Sequence, residues 1–73
     1  MIAYIKGKPV SKTENSVVID VGGIGYQVNM PSGDIAQIGE QSVMVHTYLQ
    51  IREDNPPELY GFLTTEQLSY FHK

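Results

Sequence analysis

Cysteine is absent from this 73-residue chain, so neither a disulfide framework nor a thiolate zinc site can hold it together. Two scattered histidines, His46 and His72, do not supply a structural metal site in its place. Cations are scarce as well: five Lys and Arg against eight Asp and Glu leave a net charge of -3. Phosphate neutralisation needs clustered Lys and Arg, so the surface as a whole is excluded as a nucleic-acid binder, and any such contact is local or made elsewhere. No apolar run is long enough to span a membrane, and Met1-Ile2-Ala3-Tyr4-Ile5-Lys6 lacks the apolar centre of a secretion signal. These absences describe a soluble, cytoplasmic protein in a reducing compartment, with no cofactor and no metal. Repeats, low-complexity stretches and internal linkers are missing too, which leaves one compact unit. A chain this short buries only roughly 60% of its unfolded surface, so association with copies of itself or with the rest of a longer protein is the remaining stabiliser.

What is present is mostly period-two alternation. An extended first strand runs from Ile2 to Lys12, with Gly7 and Pro9 marking a bend or bulge and an edge position. After a turn at Thr13-Glu14-Asn15, Val17, Ile19 and Val21 alternate with Ser16, Val18 and Asp20, and Ile24, Tyr26, Val28 and Met30 alternate with Gly25, Gln27 and Asn29. Gly22-Gly23 between them suits a two-residue hairpin turn with positive φ. That turn predicts Val21 opposite Ile24, Ile19 opposite Tyr26 and Val17 opposite Val28, with every large apolar side chain on one face. Pro31-Ser32-Gly33 then breaks the strand, and Asp34 can cap a short helix carrying Ile35 and Ile38 before Gly39 stops it. A fourth strand over about Val43 to Arg52 and a fifth over about Leu59 to Leu63 complete the order β-β-β-α-β-β. This is an all-β layout, the five-stranded OB-fold barrel with a short helix between strands three and four.

The last two strands are separated by Arg52-Glu53-Asp54-Asn55-Pro56-Pro57-Glu58. An asparagine and two prolines force a reversal there, which should project Glu53, Asp54 and Glu58 at the end of a long hairpin. A solvated acidic turn of this kind either improves solubility or acts on something outside the core. Gly22-Gly23-Ile24-Gly25 is followed by neither Lys-Ser/Thr nor a helix, so it is read as a turn rather than a phosphate cradle. Lys6, Lys8 and Lys12 share one side of the first strand, where they either touch phosphate or blunt a strand edge. His46, in a strand interior, and His72, at the chain end, make no acid-base or metal set with Glu53 or Asp54. Among the aromatics, Tyr26 and Phe62 fit the barrel core, while Tyr4, Tyr48, Tyr60, Tyr70 and Phe71 are open to a base-stacking role. A monomeric module for single-stranded DNA or RNA is therefore the alternative reading of the fold. Finally, Thr64-Thr65-Glu66-Gln67 reads as a capping box with a Leu63–Leu68 staple. The expected organisation is a barrel over residues 1–63 and, over 64–73, the start of a helix leading to further domains beyond this chain.

Four motifs in order carry a family resemblance: Met1-Ile2-Ala3-Tyr4-Ile5-Lys6-Gly7, Ile19-Asp20-Val21-Gly22-Gly23-Ile24-Gly25-Tyr26-Gln27-Val28, Ile51-Arg52-Glu53-Asp54 and Leu59-Tyr60-Gly61-Phe62. Together they resemble the N-terminal domain of RuvA, the bacterial Holliday-junction recognition family, over nearly the whole chain. The resemblance implies a non-catalytic homotetramer that holds a four-way DNA junction open while the motor ATPase RuvB drives branch migration. It also implies that Glu53 and Asp54 are the carboxylates of an acidic pin at the junction centre, with Arg52 as the basic residue before them. The grip on DNA and the contact with RuvB would belong to later domains. One departure stands out: Asn55-Pro56-Pro57-Glu58 before Leu59 is one residue longer than is common in the family and contains a double proline.

Overall fold

The computed structural model describes residues 3–64. Five strands and one helix follow one another as β1 (Tyr4–Lys12), β2 (Ser16–Val21), β3 (Ile24–Asn29), α1 (Ser32–Gln37), β4 (Val43–Arg52) and β5 (Asn55–Phe62). The strands close into a barrel in the order β1-β2-β3-β5-β4, the OB-fold arrangement. Closure depends on one short parallel pairing, Val28 with Leu59 and Asn29 with Tyr60; the other neighbours are antiparallel. The helix expected to begin at the capping box falls on residues 65–73, outside the described part.

β1 serves two neighbours. Tyr4 to Gly7 pair with His46 to Val43 of β4, and Lys8 onward pairs with β2. The strand changes partner at Gly7, where a Cβ atom would lie 2.2 Å from the Asp20 carbonyl oxygen. No side chain fits that close backbone approach, which is why glycine occupies the corner. A register shift follows between Pro9 and Ser11, with Val10 extruded and 60% exposed. The bend read from Gly7 and Pro9 is present, but the edge is not: barrel closure gives this strand partners on both sides.

The β2–β3 register is Val17 with Val28, Ile19 with Tyr26 and Val21 with Ile24. Gly22 and Gly23 take φ of 62° and 92°, as a type I′ turn requires, and Asp20 Oδ1 accepts from the Gly23 N–H at 2.8 Å. The expectation of a single buried face is met only below the turn. Val17, Ile19 and Val28 are buried, Tyr26 packs half-buried against them, and Ile24 remains exposed because the barrel ends before it. Ile5, Val45 and Leu59 complete the barrel centre, and Met30, Ile35 and Ile38 join the same cluster from α1 and its flanks.

Asp34 does not cap the helix. Pro31, with φ -59° and ψ 143°, occupies the cap position, its fixed φ starting the helix earlier, and its carbonyl accepts from Asp34 and Ile35. The Asp34 side chain is buried and accepts from the Leu63 N–H at 3.0 Å, tying the helix to the end of β5. At the other end Ile38 turns extended, at φ -82° and ψ 121°, to reach the core, so the helix stops before Gly39. Lys12 Nζ donates to the Ile38 carbonyl, placing a cation at the helix C-terminus and fastening it to β1. Lys12 thus has a structural task that the sequence left open.

Candidate nucleic-acid interface

β4 and β5 form the longest hairpin and run past the barrel. Thr47 pairs with Gly61, Leu49 with Leu59, Gln50 with Glu58, and Arg52 with Asn55. Leu59 is the last of these residues to be buried, and everything from Ile51 to Glu58 is exposed. Glu53 lies four residues beyond Leu49, so the tip stands roughly 13 Å past the core at the rise of an extended strand.

The turn itself is only Glu53-Asp54, because β5 begins at Asn55 rather than near Leu59. This corrects the sequence expectation in two ways. First, the prolines do not make the loop. The register shifts between Gln50 and Arg52, so that Pro56 and Pro57 together oppose Ile51 as a β-bulge. Proline has no N–H to give to a ladder, and a bulge is where a strand tolerates that loss. Both prolines are thereby absorbed in the strand, and the turn stays short. Second, Glu58 is not at the tip. It pairs across from Gln50 and accepts from the Tyr60 hydroxyl at 2.8 Å through Oε2. That hydrogen bond to Glu58 holds the Tyr60 phenol above its ordinary pKa.

Glu53 and Asp54 are thus the two side chains at the turn, flanked by Arg52 and Asn55. The Gln50 amide oxygen, oriented toward Arg52, accepts from Nη2 at 2.9 Å and Nε at 3.2 Å, which lays the guanidinium back along the strand. Asn55 Nδ2 reaches Asp54 Oδ1 at 3.5 Å. Lys6 and Lys8 are exposed on β1 but are not brought to the tip. Lys6 pairs across from Met44, near the start of the strand whose far end carries Arg52, and Lys8 across from Asp20, at the approach to the glycine turn. Because β3 and β5 run parallel, the Gly22-Gly23 turn and the acidic tip open at the same end of that pair. Among the described residues no group of three or more His, Cys, Asp or Glu could hold a metal ion. Nor is any helix among them long and apolar enough to cross a membrane.

One feature escaped the sequence reading. On the outer side of the same hairpin, Tyr48 faces Tyr60 and His46 faces Phe62. Phe62 is buried, but alternation places it on the face opposite Leu59 and Gly61, outside the central cluster. With Tyr60, Met30, Pro31, Asn15, Asn29 and Glu58 it lines a concavity of about 360 Å³. The signal was available: Tyr48, Tyr60 and Phe62 occupy the out-facing phase of the two strands, but their pairing needs the register.

A family model described as the RuvA N terminal domain matches residues 1–61. The chain is 42% identical over 73 residues to the Holliday junction branch migration complex subunit RuvA of Acetivibrio thermocellus, covering 97% of this chain and 36% of that protein. It is 38% identical over 73 residues to the protein of the same name from Salinibacter ruber, with the same coverage of both. For the Oleidesulfovibrio alaskensis protein of that name the figure is 48% over 65 residues, or 85% of this chain and 32% of the relative. The chain therefore spans about a third of the length of these curated relatives. With its closed barrel, its type I′ glycine hairpin and a sequence match over nearly all its length, the chain belongs to the RuvA N-terminal domain family.

Proposed function

We propose that this chain is the junction-core and oligomerisation domain of a DNA-binding subunit that recognises four-way junctions in recombination and repair. The observation that carries this reading is the two-residue Glu53-Asp54 turn held beyond the barrel on a paired hairpin. Copies of that tip, gathered about the axis of a homotetramer, would form an acidic pin at the junction centre. A carboxylate near a phosphate is repelled by roughly 1 kcal/mol at 4 Å in water, and by more where water is displaced. Several copies converging on one axis exclude paired duplex from the centre while leaving the arms to be held farther out. Lys6 and Lys8, which lie away from the carboxylates, and Arg52, which lies beside them, are candidates for phosphate contact on those arms. Selectivity then comes from shape and charge, with little sequence preference.

The subunit is non-catalytic in this reading and works in the cytoplasm. ATP hydrolysis belongs to a partner motor, RuvB, bound through a later domain, and the main DNA grip likewise lies in segments that follow residues 64–73. The net charge of -3 supports that division, since it opposes tight DNA binding by this part alone.

The aromatic row Tyr48, Tyr60 and Phe62 beside a concavity favours a second reading, a monomeric OB module that stacks single-stranded bases. Glu58 in that concavity works against it, because a carboxylate repels the backbone such a module must hold. Light scattering separates the two, with a tetramer expected for the first and a monomer for the second. The direct test is Glu53→Gln with Asp54→Asn in the full-length protein. Assembly should be intact, and affinity for ordinary duplex should rise about fivefold or more, the equivalent of roughly 1 kcal/mol. The preference for four-way junctions should fall. Unchanged selectivity in a gel-shift competition rejects the pin.

A further inference from the structure

Ile51 is 72% exposed, the highest exposure among the large apolar side chains of the described residues. It stands directly below the acidic turn, and the bulge sets Pro56 and Pro57 against it from the facing strand, both also exposed. The hairpin thus carries two surfaces of opposite character: carboxylates at the turn and an uncharged, apolar shoulder immediately beneath. We propose that the shoulder formed by Ile51, Pro56 and Pro57 is a contact surface for unpaired nucleobases at the junction centre. This rests on the reading of Glu53 and Asp54 as a pin.

Charge decides the occupant. A strand reaching the shoulder must pass the carboxylates of Glu53 and Asp54, with Glu58 on the next stretch of β5. Phosphates are disfavoured on the approaches past these carboxylates, the one adjacent cation, Arg52, being turned toward Gln50, so the part of a nucleic acid that comes close there is the uncharged base. A base leaving its stack exposes an apolar face, and an isoleucine side chain with two proline rings offers a matching one. The prolines also argue against a protein strand as occupant. Neither can donate a backbone hydrogen bond, so the segment is a poor template for strand addition. Their restricted φ stiffens the shoulder, which lowers the ordering needed when a base settles on it. The bland alternative is that Ile51 only fills a β-prone position at a hairpin end. That alternative leaves unexplained why the double proline is placed opposite it rather than in the turn.

The experiment uses the full-length protein and synthetic four-way junctions with 2-aminopurine at the crossover pairs or, as control, within an arm. Emission of this base is quenched by stacking, so wild-type protein should raise it at the crossover and leave the arm unchanged. Ile51→Thr keeps β-branching, and the site is exposed, so folding and junction affinity should persist while most of the emission rise is lost. Ile51→Phe, a larger apolar side chain, should retain or increase it. If Ile51→Thr gives the wild-type rise, or if wild type gives none, the proposal is overturned. A change of oligomeric state with Ile51→Thr, seen by light scattering with emission unaltered, would make the shoulder a subunit contact and overturn it too. Glu53→Gln with Asp54→Asn separates the two layers. Loss of duplex rejection with the emission rise retained supports both. Unchanged duplex rejection removes the pin and this proposal together, whereas failure of the Ile51 variants alone removes only the shoulder.

Discussion

Replacing Gly61 with alanine would put a methyl carbon 2.5 Å from Val28 Cγ1 and 2.5 Å from Val45 Cγ1. Both valines are fully buried, and they come from β3 and β4, the two strands between which β5 is inserted. Real Cβ atoms do not approach carbon so closely, so one strand must shift or both valines must leave their rotamers. Neither side can give cheaply. Overpacking by one methyl in a close-packed site typically costs about 1–3 kcal/mol, and clashes on two sides place this site at the upper end. A chain of 73 residues has a total stability on the order of 4–11 kcal/mol at ordinary per-residue values. A loss of about 2–3 kcal/mol would then lower Tm by roughly 8–24 °C in a domain this small. Thermal unfolding followed by circular dichroism reads the shift directly. Gly33→Ala and Gly39→Ala, where an added Cβ meets nothing within 4 Å, are matched controls expected to change little. If the overlap is the cause, Gly61→Ala with Val28→Ala should be less damaging than the sum of the single changes. A Tm for Gly61→Ala indistinguishable from wild type, or strict additivity in the double variant, refutes the packing argument. Because β5 continues from Gly61 to the acidic turn, the same variant should also loosen the base of the hairpin.

Other sites give simpler tests. Gly23→Ala, at φ 92°, should destabilise by about 1–2 kcal/mol in urea unfolding, since the turn has no L-residue equivalent there, whereas Gly22→Asn, at φ 62°, should be milder. Asp34→Ala leaves the Leu63 N–H without its acceptor and should cost about 1–3 kcal/mol by the same measurement. Glu58→Gln removes the carboxylate that raises the Tyr60 pKa, so phenolate absorbance should appear at lower pH than in wild type. The linkage has a definite sign. A raised phenol pKa contributes stability that is present below the ordinary value and is lost as pH climbs through the folded one, so its effect is confined to the alkaline limb.

Much of the barrel was readable because its strands alternate. The Gly22-Gly23 turn and a buried inner face fix the β2–β3 register locally, and no distant information is needed for Val17 to meet Val28. The failures are those in which a distant partner overrides a local preference. Asp34 has the chemistry of a cap, but Pro31 starts the helix and the Leu63 N–H, far along the chain, claims the carboxylate. Pro56-Pro57 looks like loop material, yet the ladder of β4 extends far enough to hold both in a bulge. Phe62 has the hydrophobicity of a core residue and falls in the outward phase of β5 because Gly61 takes the inward one. Of the candidate site, the identities Glu53 and Asp54 were legible. That Glu58 recedes from them, and that Lys6 and Lys8 lie elsewhere, depends on pairings that only the closed barrel defines.

An electrostatic post works only if it is stiff. At physiological ionic strength the field of an exposed carboxylate is screened over about 8 Å, so in the proposed role Glu53 and Asp54 would act on phosphates only close to contact and would lose effect if the tip wandered by a comparable distance. Among the described residues none from Ile51 to Glu58 is buried, so the barrel centre does not brace the tip. Stiffness must come from the hairpin itself. The Arg52–Asn55 and Gln50–Glu58 pairings continue the ladder to the turn, and the Gln50–Arg52 hydrogen bonds fix the one long side chain beside it. The double proline completes the set by removing backbone freedom from the only irregular step in that ladder. Pro56→Gly with Pro57→Gly should therefore weaken discrimination between junction and duplex while both carboxylates remain, an outcome measurable in the same gel-shift competition. If discrimination is untouched by a flexible bulge, charge at the tip suffices and its rigidity has no part in selection.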